Sequence, residues 1–157
     1  MPVLSLDELA AALPTGKRLM GLDVGDKTVG VALSDTLLMT ASPIDVIRRT
    51  KFTADAEKLI VLIHAREASG IVVGLPVNMD GSEGPRCQSV RQFVTNLLGK
   101  IDLPVAFWDE RLSTAAVERM LVDEMDVSRA RRREVVDKAA AAYILQGALE
   151  ALRTRRG

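Results

Sequence analysis

A chain of 157 residues, 48% apolar, 27% charged and 3% aromatic, has the length and composition of one globular domain with a real core, which needs neither disulfides nor a structural metal to fold. A single cysteine, Cys87, excludes an intramolecular disulfide, and with a single histidine, His64, it excludes a Cys/His zinc site. No apolar run is long enough to span a bilayer, Asp7 and Glu8 stand where a secretory signal would be basic, and 21 basic residues balance 21 acidic ones, so a cytoplasmic protein without a membrane role is expected.

In chain order, Ser5-x-x-Glu8 ahead of Leu9 and three alanines is a capping-box pattern that predicts a short N-terminal helix ending at Pro14 and Gly16. Arg18 to Val24 and Thr28 to Ser34 are apolar, β-prone runs around Gly25-Asp26-Lys27 and read as a hairpin, with Ile44 to Arg48 as a third strand. Thr53 to Ala68 has helical spacing, punctuated by Ser69-Gly70. Ile71 to Leu75 reads as a strand covered on both faces, Pro76 to Gly84 as a polar loop, and Pro85 to Leu98 as a helix. Pro104 to Trp108 is a further short strand, Ser113 to Val122 a helix capped by Ser113, and Ser128 to Leu152 an alanine-rich helix. The order predicts an α/β fold: a mixed sheet flanked by helices, antiparallel over its first three strands and parallel afterwards.

Charge is uneven along the chain. Arg129 to Gly157 holds eight basic and three acidic residues, leaving 13 basic and 18 acidic before it, a pattern that suits either an acidic partner or a solvated helix face with a frayed tail.

Three acidic positions stand out. Asp23, in Gly21-Leu22-Asp23-Val24-Gly25, puts a carboxylate at the end of an apolar strand between glycines that permit close approach of a backbone or phosphate; a turn cap would sit better at Asp26. Asp109-Glu110-Arg111 follows another strand, where open α/β sheets place ligands, and suits either a divalent cation held beside a phosphate or a local ion pair at a strand-to-helix junction; alternation turns the two acids to opposite faces without saying which one faces the site. Asp137 begins the apolar face of the last helix and gains weight from the other two, since oxygen-ligand metal sites are assembled from carboxylates on separate elements. Lys27, Arg86 and Arg111 lie at loops or element ends near these acids, within reach of phosphates, and Arg131 and Arg132 belong to the basic cluster. Cys87 lies near a helix start, where a thiolate is favoured, but no base accompanies it, and His64 reads as an ordinary mid-helix residue.

These residues fall in four segments, GLDVGDKTVGVALSD (21–35), VVGLPVNMDGSEGPR (72–86), DERLSTAAVERML (109–121) and DKAAAAYILQGALE (137–150), that together resemble the YqgF family of candidate pre-16S rRNA nucleases, also described as Holliday-junction-resolvase-like. The resemblance covers about Arg18 to Leu152. It implies an RNase H-like domain over 17–152, with 1–16 as an extension carrying a short helix and 153–157 as a basic tail. It further implies Asp23, Glu110, Asp137 and Asp109 as catalytic acids, with Asp23, Glu110 and Asp137 binding Mg²⁺ or Mn²⁺, and Lys27, Arg86, Arg111, Arg131 and Arg132 as nucleic-acid contacts. One departure is Thr28, which stands where the family usually has arginine.

Three readings follow: a metal-dependent nuclease acting on structured RNA, such as pre-rRNA, or on branched DNA; an ATP-binding module, which 157 residues supply only in half; and a non-catalytic ribosome-assembly factor. The first requires the three acids to converge, and predicts the strand ending at Asp23 beside the strand ending near Asp109, with the Asp137 helix over both.

Overall fold

The computed structural model describes residues 3–112 and 129–156, with backbone alone over 129–138 and 155–156. The regular elements among them are strands β1 (Val3–Leu4), β2 (Arg18–Val24), β3 (Thr28–Ser34), β4 (Ala41–Arg48), β5 (Ala68–Leu75) and β6 (Val105–Asp109), helices α1 (Leu6–Ala12), α2 (Phe52–Ala65), α3 (Pro85–Leu98) and α4 (Arg129–Arg156), and a 3₁₀ turn at Glu110–Leu112. The expected helix from Ser113 to Val122 lies outside the described residues. No helix among them is long and apolar enough to cross a membrane.

One mixed sheet runs in the order β1-β6-β5-β2-β3-β4, with β2, β3 and β4 antiparallel and β1, β6, β5 and β2 parallel, as the order of elements predicted. Strand alternation divides its side chains between two cores. Met20, Leu22, Val29, Val31, Ile71 and Val73 pack against α2 and α3 on one face. Leu19, Val72, Ala106 and Trp108 pack against α1 and α4 on the other.

The expected neighbourhood of β2 and β6 is corrected, because β5 lies between them. From Gly70 to Leu75 every β5 residue is buried, so this strand takes the central position where both faces are covered, and it bonds to β2 and β6 at once. A second correction concerns Ala68, Ser69 and Gly70, which belong to β5 rather than to a helix end. Helix α2 stops at Ala65, and Glu67 turns the chain at φ 56°. Gly70 sits in the strand because a Cβ there would lie 2.9 Å from both Leu9 Cδ1 and Leu19 Cδ2.

Residues at the N-terminus, read as an extension, take part in this architecture. β1 pairs with β6 at the sheet edge, Leu6, Leu9 and Ala10 are buried under α4, and the capping box forms as predicted, with Ser5 N–H donating to Glu8 Oε1 at 3.0 Å and Glu8 N–H to Ser5 Oγ at 3.2 Å. The expected basic tail continues α4 as helix as far as Arg156.

Helix α4 lies close on the sheet because Gly21 puts no side chain in its way. A Cβ on Gly21 would fall 2.8 Å from Leu145 Cβ and 3.1 Å from the Ala141 carbonyl oxygen. Gln146 bonds Ala41 N–H at 2.9 Å and the Met39 carbonyl at 3.2 Å, near the end of β3 that pairs with the start of β2, so α4 runs antiparallel to β2. Its earlier residues therefore approach the Asp23 end of the sheet. Gly21→Ala is expected to lower the thermal unfolding midpoint by several degrees: overpacking against backbone costs about 1–3 kcal/mol, more than the roughly 0.4–1 kcal/mol a Gly→Ala change returns through the unfolded chain. An unchanged midpoint would show that α4 has room to shift.

Candidate active site

Asp23, Glu110, Lys27, Arg86 and Arg111 all lie at the carboxyl ends of β2, β5 and β6 or in the connections that follow them. Asp23 is the third residue in the alternation Leu19, Gly21, Asp23, and so belongs to the α4 face of β2. It is buried, at 7% exposure, in a strand whose hydrogen bonds run to β3 on one side and β5 on the other. Leu22 pairs with Val73, so continuing the register sets Asp23 beside Gly74, and Gly74 pairs in turn with Trp108 on β6.

Glu110 shares the alternation of Ala106 and Trp108 and lies on that same face. A Cβ on Gly74 would lie 2.8 Å from Glu110 Oε1, which puts the Glu110 carboxylate over β5, towards β2. Adjacent strands are about 4.8 Å apart, so Asp23 on β2 lies one strand away from the Gly74 position that the Glu110 carboxylate and the Ile144 side chain cover. Gly74 was not singled out from sequence, where VVGLP read simply as a buried strand.

The choice between Asp109 and Glu110 is made by pairing. Asp109 lies on the other face and is bound by Arg111, whose Nη2 is 2.6 Å from Oδ2 and whose Nε is 3.1 and 3.0 Å from Oδ1 and Oδ2; the Arg111 backbone N–H adds a bond of 2.9 Å. The guanidinium holds the Asp109 carboxyl below the usual carboxylate range against the opposing effect of burial. Asp109 is thus bound by Arg111, whereas Glu110 lies over Gly74 on the face of the sheet that Asp23 shares.

Among the described residues no group of three His, Cys, Asp or Glu side chains comes together to hold a metal. The third expected acid, Asp137, has its side chain outside the described residues, as do Arg131 and Arg132. The α4 backbone puts position 137 one turn before Ala141, towards the Asp23 end of the sheet.

Three of the expected cations surround this end of the sheet. Lys27 is exposed in the β2–β3 turn, Arg86 is exposed in the first turn of α3, and Arg111 follows Glu110. A groove of about 400 Å³ is lined by Val77, Met79, Pro85, Arg86, Glu110 and Arg111, among others. A cation that sequence reading did not single out, Arg49, supports the turn: its Nη1 donates to the Gly25 carbonyl at 2.6 Å, its backbone N–H to the Lys27 carbonyl at 2.8 Å, and its guanidinium lies 5.3 Å from the Phe93 ring centre. Buried Asp55 fixes the next residue by accepting from Thr50 N–H at 3.1 Å. Only the return of β4 beside β3 brings position 49 to this turn, so no local pattern could have marked it. Cys87 is fully buried, and burial pushes its thiol up, away from the thiolate form that a nucleophile needs.

Comparison with known proteins agrees with this architecture. The RuvX family, described as Holliday junction resolvase, matches residues 17–151. A Rhodospirillum rubrum protein named a candidate pre-16S rRNA nuclease is 61% identical over 156 residues, 99% of this chain and 97% of its own length. A protein of the same name from Phenylobacterium zucineum is 62% identical over 154 residues, 98% of this chain and 99% of its own. In fold, the chain is similar to Thermus thermophilus RuvC, with a TM-score of 0.54 at 12% identity over 87% of this chain and 96% of that one. The match across both hairpin and helix segments, at such identity, means that the chain belongs to the RuvX (YqgF) family and has the RNase H-like fold of the RuvC resolvases.

Proposed function

We propose that this protein is a divalent-metal-dependent endonuclease of the cytoplasm that hydrolyses phosphodiester bonds in structured nucleic acid, with the 5′ end of pre-16S rRNA as its substrate. The observation that carries the reading is the Glu110 carboxylate over Gly74, on the face of the sheet where the neighbouring strand carries buried Asp23. Two carboxylates on one face of neighbouring strands offer the oxygen donors that Mg²⁺ or Mn²⁺ takes, so the residues present fit such an ion. Asp23 and Glu110 would hold it, and Asp137, by its place on α4, is the third ligand in this proposal. When bound, the ion supplies Lewis-acid polarisation of the phosphodiester and a more acidic bound water.

The other residues position the substrate. Arg86 and Arg111 line the groove that leads to Glu110, and Lys27 stands at the opposite side of the same sheet end, so the phosphate backbone is met by cations on both sides of the acids. Asp109 is a positioning residue in this assignment: its bidentate bond to Arg111 orients that guanidinium in the groove. The turn support from Arg49 leaves Lys27 directed by a fixed backbone in spite of Thr28.

The relatives' name points to precursor rRNA, and the family description to four-way junctions. The test offers both, as a pre-16S RNA fragment and a four-way DNA junction, to the purified chain with and without Mn²⁺. Metal-dependent cutting of the RNA near the mature 5′ end is expected. Cutting of the junction alone would overturn the substrate assignment, and cutting of neither would overturn the enzymatic one.

A further inference from the structure

The loop that borders the groove carries the most exposed large apolar side chain among the described residues, Met79, at 89% exposure. Its surroundings are built rather than loose. Asn78 N–H donates to the Ser82 carbonyl at 2.9 Å, Gly81 N–H to the Asn78 carbonyl at 2.9 Å, and Ser82 donates to Asp80 Oδ1 through N–H at 2.9 Å and through its hydroxyl at 2.6 Å. Gly81, at φ 89°, closes the turn in a conformation that glycine adopts without strain. The loop is also tied to the candidate active site, since Arg111 Nη1 lies 3.4 Å from the Met79 carbonyl while the same guanidinium binds Asp109. A thioether on a fastened turn is thereby held out beside the groove.

Stacking surfaces are otherwise missing there. Phe52 and Phe93 pack edge to face in the core at 5.4 Å, Phe107 lies under Arg91 at 4.8 Å, Trp108 is buried beneath α4, and none of the five aromatic residues lines the groove. With guanidiniums for phosphates on its walls and no aromatic ring, the groove has among its described lining two exposed apolar residues, Pro85 and Met79, of which Met79 is the longer and more flexible side chain that can meet a base face.

We infer that Met79 is a wedge that packs between or against bases next to the cut phosphodiester, opening the stack of a branched or stem-end nucleic acid so that its backbone reaches Glu110 and Asp23. The inference rests on the nuclease reading of the site and names the structural feature of the substrate that it selects. Apolar side chains of this kind separate base steps where a protein bends or opens nucleic acid.

The test uses the full chain with a stem–loop RNA and a four-way DNA junction, each carrying 2-aminopurine at the branch or stem end. With Ca²⁺ in place of Mn²⁺ to keep the strands uncut, wild type is expected to raise the fluorescence, Met79→Leu to match it, and Met79→Ala to lose most of the rise. With Mn²⁺, Met79→Ala is expected to cut about tenfold more slowly and Met79→Leu within about twofold of wild type. All three should unfold at the same temperature, because the side chain is 89% exposed. Equal fluorescence for Met79→Ala and wild type overturns the wedge and leaves the nuclease reading standing. Failure of wild type to cut either substrate overturns the nuclease reading, and the wedge with it.

Discussion

Asp23→Asn is expected to cut at least about a hundredfold more slowly than wild type while keeping its fold and most of its affinity for nucleic acid. The amide preserves the shape of a residue that is 7% exposed on a strand between β3 and β5, but it removes a negative charge that balances a divalent ion. Metal stabilisation of a transition state is worth several kcal/mol, and each 1.36 kcal/mol is tenfold in rate. Affinity survives because it comes from Arg86, Arg111 and other cations that the substitution leaves in place. The comparison is made on both substrates with identically purified proteins. Equal rates would place the chemistry elsewhere.

Glu110→Gln and Asp109→Asn are expected to separate two adjacent acids that the sequence alone leaves equivalent. Glu110, extended over Gly74, should behave like Asp23: a loss of about a hundredfold or more, with a higher Mn²⁺ concentration needed for half-maximal rate. Asp109 instead holds Arg111 through a fork of bonds between 2.6 and 3.1 Å, so its amide variant should lose about tenfold with its Mn²⁺ midpoint unmoved. A metal titration of the two variants checks this directly. A shifted midpoint for Asp109→Asn with none for Glu110→Gln would exchange their roles.

Arg18–Val24 and Thr28–Ser34 form strands over the lengths that their apolar, β-prone runs marked, and the Ser5–Glu8 capping box starts α1 where its pattern stood. These features depend on interactions between residues close in the chain, so a single sequence contains their cause. Acids at strand ends were visible for the same reason: a carboxylate closing an apolar run is conspicuous wherever the strand later goes.

The insertion of β5 between β2 and β6 depended instead on competition among strands for the position covered on both faces, which no one segment determines. That placement turned Gly74 into the floor of the candidate site, because a missing side chain matters only once Glu110 and Ile144 have arrived over it. It also set the two neighbours Asp109 and Glu110 in different surroundings: alternation sends them to opposite faces in any strand, but only the helices laid on each face, and the guanidinium that Arg111 returns to Asp109, give those faces different chemistry. Arg49 entered for the same physical reason, as the β3–β4 register carries it from the far end of a hairpin to the turn that follows Asp23.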